Sequence, residues 1–173
     1  MKIPPFELST AEIRAELAKL RGRHAIAVVR AKNPFNVGAI IRVAHSFLVD
    51  RIYLIGVEPF YERAAMGMQK YEHIVDCPDE EAFLAEVRGR PLIGVERDDA
   101  TTSYWEAPMP DDAVFLLGSE NDGLPRTLID ACDTVVAIPM YGINHSFPVT
   151  VAAGMVLAEF ARRRDPRARL ADR

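Results

Sequence analysis

Asn36, Gly38 and Arg42 fall close together in NPFNVGAIIRVAHSF (33–47), and the arginine suits a phosphate or carboxylate partner. Gly38 permits close backbone approach. Arg42, four residues on, shares a helix face with it. The neighbours Ala39, Ile40, Ile41, Val43 and Ala44 are apolar. A guanidinium buried among them needs an anionic partner, since leaving it unpaired costs several kcal/mol; on an amphipathic helix it would instead be exposed. A second segment, FLLGSENDGLP (115–125), runs from a β-type stretch into a turn with two glycines flanking Glu120, a candidate partner for Arg42. Backbone N–H and C=O groups in such a turn can grip a ligand's polar edge. A third, IPMYGINHSFPVTVAAGMVLAEF (138–160), passes from a strand through a polar loop into an Ala/Gly-rich stretch. Ala152, Ala153 and Gly154 would let another element pack closely. His145 lies in that loop, but no Ser–His–Asp or Cys–His order accompanies it, so it reads as a loop histidine.

The elements that must position these residues alternate between β-type and helical patterns, which predicts an α/β fold with a largely parallel sheet and flanking helices. Ser9 and Glu12 form a candidate capping box for a basic helix over 9–22, ended by Gly22. Strands are expected at 24–30, 51–56, 71–75, 91–95, 114–117 and 134–138. Helices are expected near 37–48, 79–88 and 148–164, with a short one from 124–125. Residues 57–70 are ambiguous. Pro148 suits a first helical position, where its missing N–H had no partner. In open α/β sheets ligands sit at the carboxyl ends of strands. That rule directs attention to the loops 31–38, 118–123 and 139–147.

Composition bounds the function classes. The 173 residues suit one domain spanning 1–173. No apolar run reaches membrane-spanning length, and MKIPPFELST lacks the features of a signal peptide, so a cytoplasmic protein is expected. Cys77 and Cys132 make no CxxC pair and the histidines show no ligand spacing, so no metal site is expected and both cysteines read as core residues. The net charge is −4. Residues 1–50 carry eight Lys/Arg against four Asp/Glu, residues 51–159 seven against nineteen, and residues 160–173 six against two. The basic ends, including a loose tail at 165–173, could hold a polyanion if the fold joins them.

Together the segments resemble the SPOUT superfamily, and within it the TrmH-type RNA ribose 2′-O-methyltransferases. The matching features are N-x-G-x-x-x-R, then L-G-S-E-x-x-G-L, then I-P-M-x-G with S-F-x-V-x-V-A-A, in that order. The resemblance covers most of residues 24–160. It implies a C-terminal trefoil knot, S-adenosyl-L-methionine as methyl donor, and a homodimer with the site at its interface. It implies RNA as substrate, with tRNA expected and rRNA the alternative. By position it assigns Arg42, Asn36 and Glu120 to catalysis. It assigns Val95, Glu96, Leu117, Gly118, Ile138, Met140, Ser146 and Phe147 to the cofactor pocket. Two departures stand out. Where the family usually has Ser-Leu-Asn-Val-Ser, this chain has Ser146-Phe147-Pro148-Val149-Thr150, and Asn121-Asp122 replaces a common Gly-x pair. Pro148 removes a side-chain donor, which leaves open a protein that binds the donor or RNA without catalysis.

Overall fold

Three short runs, AIAVV, IYLI and VFLL, carry no charged side chain. In the computed structural model, which describes residues 8–30 and 33–165, they form the centre of the molecule. The strands are β1 (Ala25–Val29), β2 (Ile52–Ile55), β3 (Ile74–Cys77), β4 (Leu92–Val95), β5 (Thr102–Ser103), β6 (Val114–Leu117) and β7 (Thr134–Ala137). They form one seven-stranded sheet in the order β3-β2-β1-β6-β4-β7-β5, with every strand pair parallel. The helices are α1 (Thr10–Ala18), α2 (Pro34–Ser46), α3 (Glu80–Glu86), α4 (Arg126–Ala131) and α5 (Val149–Arg164).

Successive side chains of a strand face opposite sides of the sheet. Ile26, Val28, Ile52, Leu54, Phe115 and Leu117 point to one face and meet α2 and α5 through Ile40, Ile41, Val156 and Leu157. Ala25, Ala27, Tyr53, Ile55, Val114 and Leu116 point to the other and meet Phe83 of α3 and Leu128 of α4. Both faces are therefore covered, as a parallel sheet requires. Each large apolar side chain fully buried this way contributes about 1.5–3 kcal/mol.

Several expectations need correction. Helix α1 has the capping box of Ser9 and Glu12, but it ends at Ala18 with Lys19 as its cap. Gly22 does not close it; its N–H bonds Leu48 O, and it keeps a negative φ. The third strand is Ile74–Cys77 rather than 71–75, and residues 62–65 and 68–70 form short 3-10 turns. Helix α2 starts at Pro34, three residues earlier than expected, because the Asn33 side chain accepts from the Phe35 N–H. Pro148 sits just outside α5, its carbonyl accepting from Val151 and Ala152. The two-residue strand β5 was too short to show a pattern. Cys77 is buried and Cys132 half-buried, both as free thiols, and burial pushes the Cys132 thiol up to about 11. No helix among the described residues is long and apolar enough to cross a membrane. The expected basic tail lies, beyond Asp165, outside the described residues.

The basic C-terminal turn is engaged in the fold. Arg163 donates to Ala107 O, Tyr104 O and Trp105 O and pairs with Glu159. Arg164 lies over the Phe160 ring and bonds Asp111 and Met109 O. These arginines secure α5 to the 104–111 loop and are poor candidates for holding RNA. At the other end, Arg21 and His45 hold the fully buried Glu72.

His24 gives the fold an acid sensitivity. Its ring is only 4% exposed, stacks on Phe160 at 4.2 Å, and leaves both nitrogens without a partner. Burial, reinforced by Arg164 and Arg90 and opposed by Asp50 and Asp111, lowers its pKa from 6.5 to about 4. The unfolded chain therefore binds a proton between those values that the folded chain refuses. Stability is complete above the unfolded value and falls as pH drops towards 4. Replacing His24 with Leu should remove this loss, which amounts to about 3 kcal/mol when complete. Urea denaturation at about pH 5 and pH 7.5 reads it: the variant should gain more relative to wild type at the lower pH. An equal difference at both values would contradict the assignment.

Candidate active site

The carboxyl ends of β4, β6 and β7 open into one cavity of about 420 Å³. Each strand delivers a different segment to it. Val95 and Glu96 leave β4, Leu117 and Gly118 leave β6, and Ile138 and Met140 follow β7. Ser146 and Phe147 close it from the loop that enters α5. All eight residues predicted for a cofactor line this space.

Gly118 is essential to the shape. A Cβ there would lie 2.1 Å from Gly123 C and 2.4 Å from Leu124 N, so the turn folds directly onto the strand end. The turn is closed by paired backbone bonds, Ser119 N to Gly123 O at 3.0 Å and Gly123 N to Ser119 O at 3.1 Å. Gly123 has φ +67°, a conformation that favours glycine. Glu96 ties the two strand ends together, accepting from Leu124 N at 3.2 Å and from Arg97 N at 2.8 Å.

The lining includes residues that sequence reasoning missed: Arg97, Asp98 and Asp99 after β4, and Val149 and Ala152 at the start of α5. Their signal was available, since the polar run ERDDAT directly follows a strand. Arg97 donates to Asp98 at 2.6 Å and holds that carboxyl below its ordinary range. Arg97 also donates to His145 O at 2.6 Å, which anchors the third segment by its backbone. The His145 imidazole makes no hydrogen bond with a described residue. The rim is acidic, with Glu96, Asp98, Asp99, Glu120 and Asp122 against Arg97 alone. Among the described residues no cluster of His, Cys, Asp and Glu could hold a metal ion.

Segment one meets the cavity at a single point. Asn36 Nδ2 donates to Glu120 Oε2 at 2.8 Å, across 84 residues of sequence. Glu120 thus pairs with Asn36, and the expected Arg42–Glu120 pair is absent. Arg42 is exposed, because α2 buries the stripe Val37, Gly38, Ile40, Ile41 and Ala44 and Arg42 lies outside it. Its guanidinium bonds no described residue and does not line the cavity. Gly38 shows the expected close approach: a Cβ would sit 2.7 Å from both Tyr61 O and Ala64 Cβ. The small residues of α5 behave unequally. Ala153 is packed in the core, while the space over Gly154 is open.

Residues 23–158 match the SpoU rRNA Methylase family. The chain belongs to the SpoU methylase family. Its fold is that of other SpoU proteins: the Sinorhizobium meliloti rRNA methyltransferase with AdoMet bound superposes with a TM-score of 0.76 at 27% identity, over 84% of this chain and 58% of that one. The A. aeolicus TrmH/SpoU tRNA modifying enzyme superposes with a TM-score of 0.78 at 25% identity, over 90% of this chain and 82% of that one. In sequence, this SpoU chain is 30% identical over 139 residues to the 23S rRNA (guanosine-2'-O-)-methyltransferase RlmB of Neisseria meningitidis, covering 76% of this chain and 55% of the relative. The SpoU chain spans about half the length of the curated relatives it matches.

Proposed function

We propose that this chain transfers the methyl group of S-adenosylmethionine to a ribose 2′-hydroxyl of RNA, with tRNA the expected substrate. The observation that carries the reading is the convergence of the β4, β6 and β7 ends on one cavity whose rim bears the Asn36–Glu120 pair. The residues present fit the donor. Leu117, Ile138, Met140 and Phe147 offer apolar surface for a purine. The acidic rim suits a ligand carrying a sulfonium and an amine.

Leu117, Gly118, Ile138, Met140 and Phe147 would hold S-adenosylmethionine, which would supply an activated methyl group. The chain must align the hydroxyl oxygen and let its proton leave. Asn36, fixed by Glu120, is placed to orient the incoming nucleotide at the rim. A guanidinium is a poor proton acceptor, so Arg42 has no role here as a base. It stabilises the developing oxyanion or anchors an adjacent phosphate.

This reading includes a homodimer. Arg42 is exposed and stands away from its own cavity, so a second copy would deliver it across an interface. A stripe on α5, exposed at Val151 and Ala158 and half-buried at Gly154 and Met155, offers a contact face at helical spacing, with open space over Gly154. The reading also includes the trefoil knot, supported by β6 inserting between β1 and β4 while β7 returns on the far side of β4.

The relatives named as 23S rRNA methyltransferases favour rRNA as a second substrate reading. Incubating the protein with methyl-labelled S-adenosylmethionine and separate pools of tRNA and rRNA decides between them. Label in tRNA is expected; label in rRNA alone moves the substrate, and donor binding without label in any pool supports the non-catalytic alternative raised by Pro148.

A further inference from the structure

Phe35 and Tyr61 are aromatic side chains that the fold leaves uncovered beside the site. Phe35 is 56% exposed and Tyr61 40%, and their ring centroids lie 4.8 Å apart with planes inclined at 50°. The next residue after Phe35 is Asn36, whose amide reaches Glu120 at the cavity rim. Phe35 and Arg42, seven residues apart, share the exposed face of α2, while Gly38 lies in its buried stripe. The backbone beneath the pair is tied down. Tyr61 N donates to Pro34 O at 2.9 Å, Ala64 N donates to Tyr61 O at 3.0 Å, and the turn is seated against Gly38. Arg63, on that turn, is exposed and bonds no described residue through its side chain.

We propose that Phe35 and Tyr61 form a stacking platform for an unpaired base of the substrate RNA, next to the nucleotide that is methylated. The proposal rests on the RNA-methyltransferase reading of the same site. Aromatic faces accept any base, since every base offers a π-face, while Arg63 supplies charge for a flanking phosphate. Glu62, exposed on the same turn, argues against a plain anion site, so the ring faces carry the recognition. A symmetric contact with a second copy would have to bury Glu62 and Arg63 together with the rings, which disfavours that occupant.

The test uses Phe35→Ala and Tyr61→Ala, with Phe35→Trp as the conservative variant. A short single-stranded RNA carrying one 2-aminopurine should lose fluorescence on wild type and on Phe35→Trp, and keep it on both alanine variants. In methyl transfer, KM for RNA should rise roughly tenfold in the alanine variants with kcat near wild type. S-adenosylmethionine affinity and sedimentation mass should not move. Unchanged quenching and KM would overturn the platform, and so would conversion of a dimer to monomers by Phe35→Ala. If wild type transfers no methyl group yet quenches the probe in a Phe35-dependent way, the catalytic reading fails and the platform stands.

Discussion

Replacing Arg42 with alanine is expected to lower methyl transfer to RNA by about a hundred- to a thousandfold while leaving S-adenosylmethionine binding unchanged. The side chain is exposed and bonds no described residue, so its removal should not disturb the fold. A uniform loss of stability would therefore contradict its placement. The loss should appear mainly in kcat if the guanidinium meets the oxyanion, and mainly in KM for RNA if it holds a phosphate. Calorimetric titration with S-adenosylmethionine separates either case from damage to the cavity.

Gly118→Ala should produce the opposite pattern: donor binding weakened by more than about a hundredfold, with RNA binding retained. No rotamer can relieve a Cβ 2.1 Å from Gly123 C, because the contact is with backbone. The 119–123 turn must move off the strand end, and steric overlap of this kind costs at least about 1–3 kcal/mol before the donor is considered. Circular dichroism should still report a folded sheet, since β6 ends one residue earlier. Full donor affinity in this variant would place the cofactor elsewhere. The two variants also test the assembly. If Arg42 acts on the partner's cavity, a co-expressed mixture should regain about a quarter of wild-type activity, because half the dimers carry one intact composite site. A site contained within one chain would leave the mixture inactive.

Much of the cavity was legible before the fold was known. Leu117–Gly118 and Ile138–Met140 mark strand ends followed by turn residues, and strand ends in parallel sheets are where ligands sit. The residues Arg97 to Asp99 obey the same rule but match no motif, so they were overlooked. Helical phase decides between a buried and an exposed Arg42. The buried stripe of α2 runs through Val37, Ile40, Ile41 and Ala44, and counting from it places Arg42 outside, despite its apolar neighbours in sequence. The Asn36–Glu120 bond could not be read from spacing, because only the pairing of β1 with β6 brings residues 84 apart together. The third strand was misplaced because the 3-10 turn 68–70 delays its start until Ile74. The basic ends misled in a different way. Arg21, Arg163 and Arg164 are charges that the fold itself uses, which composition does not reveal.

The central claim is that a methyl group reaches a ribose oxygen. Nucleoside mass spectrometry of RNA methylated by the purified protein tests it most directly, with the Arg42→Ala protein as control. The account predicts a 2′-O-methylated nucleoside, its added mass on the sugar fragment, formed by wild type and nearly absent from the control. A methyl group on the base fragment, or equal product from both proteins, would contradict it.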